Sequence, residues 1–224
     1  MNTLAMGNKL SLIFVFLLFL ISKNYVIANS NSNTENGKEL WTYININKKF
    51  GDYTLLLKYD LRLRDKFIND FKSTRFYIGG SYKINSNFKF SMIYRYIYKE
   101  ENKSNDQLLL ILSPKYKYKN IVFKSRLRYQ YVNKETPENI FRTRIGIDYV
   151  FHNLLNPFTS YELYYRFNKP NKIDKFNKER YEIGNSFKLN KSNSLNLSYR
   201  FEKELNTEDQ EKINIIKLEY ELSI

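Results

Sequence analysis

Two pairs of arginines are the residues of this sequence whose type and spacing most clearly imply a chemistry. Arg126 and Arg128 precede a polar stretch, 133–139, and Arg142 and Arg144 follow it. If the flanking segments pair as antiparallel strands, alternate residues share a face and four guanidinium groups come together. Such a group attracts anions. The pairs therefore predict an anion-attracting surface wherever nearby carboxylates do not neutralise it.

Charged residues of both signs occupy equivalent alternating positions in the neighbouring segments. Together with the two arginine pairs they form a candidate charged cluster that lines an interior: Arg62, Arg64, Arg95, Glu162, Arg166, Arg180, Glu182, Arg200 and Glu202. Basic residues outnumber acidic ones at these positions, so mutual pairing cannot neutralise all of them. Two interpretations stay open, a lumen that attracts small anions and a lumen filled by its own ion-paired side chains.

The sequence gives little support to catalysis through a nucleophile or a general base. The chain contains no Cys and a single His, His152, which is expected in a solvated turn. Glu162 and Glu182 could approach each other, but Arg166 and Arg180 lie close in sequence and favour ion pairing over acid–base chemistry. We therefore predict no catalytic residue, no metal site and no cofactor. The alternative is a lipid-modifying or lipid-binding membrane barrel that uses carboxylates.

The elements that carry these side chains show a two-residue period. Between Phe88 and Tyr98 every second residue is apolar or aromatic, and the residues between include Lys89 and Arg95. This alternation is typical of a β-strand with one apolar and one polar face. It recurs in the segments 40–50, 53–64, 73–84, 88–98, 108–118, 121–132, 140–151, 158–167, 179–189, 194–204 and 211–224. Most of them are long enough to cross a bilayer at a tilt.

Short and long connections alternate between these segments, as they do in outer-membrane barrels with short periplasmic turns. The pattern predicts an all-β fold, an antiparallel up-and-down transmembrane β-barrel of 10–12 strands. Such bacterial barrels contain an even number of strands, whereas eleven segments are visible. Three solutions remain. In the first two, ten strands close the barrel, and the segment 40–50 either enters from the outer side in the wrong direction or lies along the lumen. In the third, one further short strand raises the count to twelve.

Tyrosines crowd the apolar face near the segment ends, as at Tyr116, Tyr118, Tyr129 and Tyr131. A membrane interface keeps each ring in apolar surroundings and each hydroxyl in water, whereas a dry barrel core would bury the hydroxyls. This distribution favours an apolar face that contacts outer-membrane lipid and a charged face that lines the lumen. A soluble secreted barrel that binds a ligand is the third hypothesis.

The N-terminal residues are typical of a secretory signal peptide. An apolar run from Leu10 to Ile21 follows Lys9, and small residues allow cleavage after Ala28. We expect residues 1–28 to be removed, 29–38 to form a disordered polar leader and 40–224 to form the barrel.

The expected cleavage product would carry a net charge of +12. Its basic residues are spread over all strands rather than clustered, so nucleic acid is not an expected partner. The expected partners are outer-membrane lipid, the barrel-insertion machinery during assembly and small anionic solutes.

The order of short motifs resembles a family of predicted outer-membrane barrels, the one labelled domain of unknown function 2490. The resemblance covers 40–224 and rests on Trp41, Leu61-Arg-Leu-Arg64, Gly79-Gly-Ser-Tyr82, Tyr94-Arg-Tyr96, Arg126-Leu-Arg128, Arg142-Thr-Arg144, Tyr161-Glu-Leu-Tyr164, Arg180-Tyr-Glu-Ile-Gly184 and Leu197-Ser-Tyr199. It implies a barrel fold in the outer membrane and no assigned activity. One departure is the final residue, Ile224, where such barrels usually end in an aromatic side chain.

Overall fold

The computed structural model describes residues 36–64, 70–100, 104–151, 155–167, 175–206 and 211–224. Their strands are β1 (Asn36–Phe50), β2 (Tyr53–Arg64), β3 (Asp70–Lys83), β4 (Phe88–Lys99), β5 (Ser104–Tyr118), β6 (Ile121–Asn133), β7 (Glu138–Tyr149), β8 (Asn156–Phe167), β9 (Lys175–Lys188), β10 (Asn193–Glu204) and β11 (Lys212–Ser223). All eleven segments with a two-residue period are strands, and they form one closed barrel. The predicted all-β barrel and the predicted range of 10–12 strands are confirmed.

Some predictions concern residues outside the described ranges. They are the signal peptide, residues 29–35 of the leader and the turn that contains His152. Within the described ranges, no helix is long and apolar enough to cross a membrane.

The closure of the barrel corrects the prediction that every strand pair is antiparallel. Consecutive strands pair antiparallel, but β1 pairs with β11 in parallel, from Asn36 opposite Lys212 to Asn47 opposite Ser223. The physical reason is parity, because strands that alternate in direction leave the first and eleventh pointing the same way. The segment 40–50 is therefore neither outside the barrel nor along its lumen, and no twelfth strand is needed.

The parallel seam also places the two ends of the barrel at opposite rims. The rim that carries the short turn 51–52 is the tight-turn rim, and the opposite one is the long-loop rim. β1 starts at the long-loop rim and β11 ends at the tight-turn rim. Residues 36–38, predicted as part of the disordered leader, belong to β1, because β11 supplies backbone partners as far as Asn36.

The two faces of the sheet differ as the two-residue period predicts. Side chains with one parity point outward and stay exposed, among them Phe76, Met92 and Ile183. Those with the other parity point inward and include Asp60 and Glu162, which are 0% and 4% exposed. The barrel thus has an apolar outer face and a charged inner face.

The inner face is not uniformly polar. Trp41 and Tyr43 of β1 pack inside with Ile213 and Ile215 of β11. Two further inward clusters join neighbouring strands: Ile93, Leu109 and Ile111, and Val132, Ile140 and Tyr164. Because Trp41 is 2% and Ile215 0% exposed, the interior beside the seam is closed to water.

Gly79 of β3 allows one of these clusters to form. A Cβ atom at Gly79 would meet the carbonyl oxygen of Met92 and lie 2.7 Å from the Cα atom of Ile93, its partner in β4. The adjacent Gly80 has room, since a Cβ there would lie 3.7 Å from the nearest atom. The backbones of β3 and β4 therefore approach too closely for any side chain at Gly79.

The parallel seam can be tested by cross-linking, because the chain contains no cysteine. Thr42 and Leu218 are cross-strand partners, so a Thr42→Cys/Leu218→Cys double variant should form a disulfide on mild oxidation. In the matched Thr42→Cys/Leu222→Cys variant the second cysteine is four residues, about 13 Å, further along β11 and should stay reduced. A shift in gel mobility reports the bond. Equal cross-linking in both variants would contradict the observed register.

The two neighbouring glycines give a matched pair for stability. Gly79→Ala should lower the free energy of unfolding by about 1–3 kcal/mol, the usual effect of forcing an extra carbon into a packed site. Gly80→Ala should change it little, because its Cβ meets no close atom. Urea titration followed by the fluorescence of the single tryptophan, Trp41, measures both values. An equal loss in the two variants would contradict the close approach of β3 and β4.

Candidate functional site

The thirteen residues of the candidate charged cluster all have inward parity, and most are buried inside the barrel. Seven of them are less than a tenth exposed: Arg62, Arg95, Arg142, Glu162, Glu182, Arg200 and Glu202. Arg64 is the outermost, since it ends β2 at the long-loop rim and pairs with the exposed Glu100. The alternating face of each strand brings these side chains together, because closure turns all the charged faces toward one interior.

Glu162 of β8 is the centre of the first group of ion pairs. Its carboxylate oxygens lie 2.9 Å from a guanidinium nitrogen of Arg126, 2.8 Å from one of Arg142 and 3.6 Å from one of Arg180. The hydroxyl of Tyr164 donates a hydrogen bond to the same carboxylate. One buried carboxylate therefore serves three arginines from three other strands.

Glu182 of β9 is the centre of the second group. It accepts from Arg144 at 2.8 Å and from Arg200 at 2.6 Å, while Lys217 lies 3.4 Å away. Ser198 donates a further hydrogen bond of 2.8 Å. Glu202 of β10 pairs with Lys178 and Arg180, and Arg180 thereby connects Glu202 with the Glu162 group.

A third group lies beside the seam, around Trp41. The guanidinium carbon of Arg62 lies 3.4 Å from the centre of the Trp41 ring, and those of Arg180 and Arg200 lie 5.3 and 5.0 Å from it. Arg62 also pairs with the fully buried Asp60 at 3.0 Å. Stacking on an aromatic face stabilises a guanidinium that has left water.

The two arginine pairs come together as their spacing predicts. Arg126 lies opposite Arg144 and Arg128 lies opposite Arg142 across β6 and β7. Their partners differ, because Arg126 and Arg142 share Glu162 whereas Arg144 binds Glu182. Among the described residues, no carboxylate lies within ion-pairing distance of Arg128.

Arg95 of β4 is the second interior arginine without a carboxylate in the described part of the chain. It donates to the side-chain oxygen of Gln107, its partner in β5, and lies 5.5 Å from the centre of the Tyr77 ring. It is 4% exposed, and its Nε atom has no hydrogen-bond acceptor. The charged interior therefore keeps an excess of positive charge on the side formed by β4, β6 and β7.

The geometry leaves the buried glutamates little capacity for acid–base chemistry. The oxygens of Glu162 and Glu182 are occupied by guanidinium, ammonium or hydroxyl donors, so neither oxygen pair is free to take a proton from a substrate. Within the described ranges, no three residues of metal-binding type come together. The arrangement can hold and attract anions.

The inward residues that were missing from the predicted cluster include Trp41, Tyr43, Asp60 and Tyr77. The first two lie in phase with Glu39 and Asn45, so the parity of the polar residues of β1 could have placed them inside. Asp60 and Tyr77 similarly share the parity of inward arginines on their own strands. The aromatic character of Trp41, Tyr43 and Tyr77 concealed their inward position, because apolar and aromatic residues were expected outside.

Comparison with known proteins agrees with the barrel. A family model described as "Protein of unknown function (DUF2490)" matches residues 38–212, which confirms the resemblance seen in the motifs. No curated protein matches the chain. Among solved structures, one described as "NanC porin structure in rhombohedral crystal form" is similar at a TM-score of 0.51 and 11% sequence identity, over 74% of this chain and 84% of that one. At this identity the likeness concerns the fold alone, a porin-like closed β-barrel.

The dependence of three arginines on one carboxylate generates a stability prediction. Glu162→Gln should lower the free energy of unfolding by about 3–5 kcal/mol, because it leaves buried guanidinium groups without their counter-charge. Glu100→Gln is the matched control, since it removes the same charge from an exposed pair and should cost at most about 1 kcal/mol. Urea titration with Trp41 fluorescence compares the two. Similar losses would show that the Glu162 group contributes no more than a surface ion pair.

Proposed function

The chain belongs to the DUF2490 family of proteins of unknown function, and we propose that it is an outer-membrane β-barrel that forms a narrow, anion-attracting passage for small solutes. It performs no covalent chemistry. In this proposal, residues 1–28 are a signal peptide cleaved after Ala28, and the barrel-insertion machinery places the exported chain in the membrane.

The outer face supports the membrane part of the proposal. Large apolar side chains remain exposed on ten of the eleven strands, for example Phe76 at 51%, Met92 at 56% and Ile183 at 63%. A soluble monomer rarely exposes an apolar surface of this extent, whereas a barrel in lipid requires one. A soluble barrel for a greasy ligand would need the opposite arrangement, with the apolar face inside.

Aromatic side chains at both rims support the same placement. Tyr53 and Tyr82 stack at the tight-turn rim with ring centres 4.9 Å apart, and Tyr165 and Phe176 meet at 5.2 Å near the long-loop rim. Girdles of this kind mark the two interfaces of a membrane barrel. The strands between them contain 12–15 residues, enough for a tilted crossing.

The excess of interior cations is the observation that carries the anion-attracting passage. Beside the seam the lumen is sealed, but Arg126, Arg144 and Arg166 keep 28%, 21% and 30% of their side chains accessible to water. Wet guanidinium groups along a narrow interior favour anions and oppose cations. Arg95 and Arg128 increase this preference for anions, because no described acidic residue pairs with them.

Planar-bilayer recordings test this function on protein purified from the outer-membrane fraction. A small conductance with a reversal potential that indicates anion preference is expected in a salt gradient. Arg144→Gln should shift the reversal potential toward zero, because it removes a water-accessible interior charge. Lys191→Gln, which removes the same charge from an exposed tight turn, is the control and should leave the potential nearly unchanged. Cation preference, or a folded barrel that does not conduct, would contradict the proposal.

A further inference from the structure

Four arginines lie on one side of the interior, and only two of them pair with a carboxylate. Arg126 and Arg142 pair with Glu162, and Arg95 and Arg128 pair with no carboxylate in the described part of the chain. Glu162 is further shared with Arg180. The group of four therefore keeps a net positive charge even with Glu162 fully ionised.

These groups are too deeply placed for water to compensate them fully. Arg95 is 4% and Arg142 7% exposed, and the Nε atoms of Arg95, Arg126, Arg128 and Arg142 are buried without a hydrogen-bond acceptor. Buried cations without a counter-charge are strongly unfavourable, and buried donors without acceptors add to the cost. A bound anion would remove both penalties at once.

We propose that Arg95, Arg128 and Arg142 form a binding site for a free oxyanion, a phosphate group or a carboxylate, inside the barrel. The inference deepens the proposed passage and rests on it for its biological meaning. Arg128 lies opposite Arg142 in the β6–β7 register, and Arg95 of β4 lies close enough for its charge to interact with those of both.

The type of donor selects the class of anion. A guanidinium presents two parallel N–H groups that match two oxygens of one carboxylate or phosphate, which a halide ion cannot provide. Arg128 is partly exposed and uses none of its donors on described residues, so its donors are available to an added anion. Arg95 and Arg142 then supply the buried part of the site.

The carboxylate of Glu162 competes with an added anion for the same arginine donors. This carboxylate already satisfies one donor nitrogen each on Arg126 and Arg142, which limits the affinity for an added anion. Removing the charge of Glu162 leaves Arg126 and Arg142 without a counter-charge. Phosphate should therefore restore part of the stability that Glu162→Gln loses.

Calorimetric titration of the refolded full barrel with inorganic phosphate tests the site. The detergent is non-ionic and sodium chloride holds the ionic strength constant, so general screening is excluded. We expect saturable binding in the millimolar range or tighter. Arg128→Gln should weaken it by about tenfold or more, the loss expected when a charge-assisted hydrogen bond is removed. Lys191→Gln should bind phosphate as the wild-type protein does.

Two outcomes overturn the site: no saturable phosphate binding by the folded barrel, or binding that Arg128→Gln leaves unchanged. Mixed micelles with phosphatidic acid separate a lipid headgroup from a free anion, and binding of that lipid alone also overturns the proposal. Phosphate-dependent recovery of the Glu162→Gln variant is an independent measurement, and its absence counts against the site. Binding without bilayer conductance would refute the passage alone, and anion conductance without binding would refute the site alone.

Discussion

Closure of a single sheet is the constraint on which the rest of this structure depends. In a strand, neighbouring side chains point to opposite faces, and closure turns one of those faces toward the interior, away from bulk water. A charged residue on that face is stabilised by a partner inside, which can be distant in sequence. The ion pairs centred on Glu162 and Glu182 show this effect, since they include pairs between strands that are not neighbours in the sheet, β6 with β8 and β7 with β9.

Most of the fold could be predicted from the two-residue period, because strand alternation is a local property of the chain. The eleven strands, their charged face and the meeting of Arg126 with Arg144 all follow from parity and antiparallel order. The parallel seam was missed because the even strand count of known bacterial barrels was preferred to the count in the sequence. Trp41 was missed for a different reason: burial depends on the strands across the barrel, and an aromatic residue looks the same in a lipid-facing and a lumen-facing position.

The pairing inside the candidate site could not be predicted, although its members could. Sequence parity places Glu162, Arg126 and Arg142 on one face, but the choice of partner depends on distances across the lumen. Glu162 binds arginines of β6, β7 and β9, and only the last two strands are its neighbours in the sheet. Whether Arg128 would have a carboxylate was equally open, because its cross-strand partner, Arg142, is itself a cation.

The interior of the barrel contains fewer carboxylates than cations, and this difference bears on both its stability and its proposed function. Glu162, Glu182 and Glu202 each contact two or more cations, so they are unsuited to act as a base or nucleophile, which needs a free lone pair. Arg95 and Arg128 are interior arginines that have no carboxylate partner in the described part of the chain, and the Nε atom of each is buried without a hydrogen-bond acceptor. The structure thus shows a closed interior that combines paired charges with arginines that have no carboxylate partner. In the function that we propose, these remaining arginines attract the solute, and the guanidinium group favours a carboxylate or a phosphate.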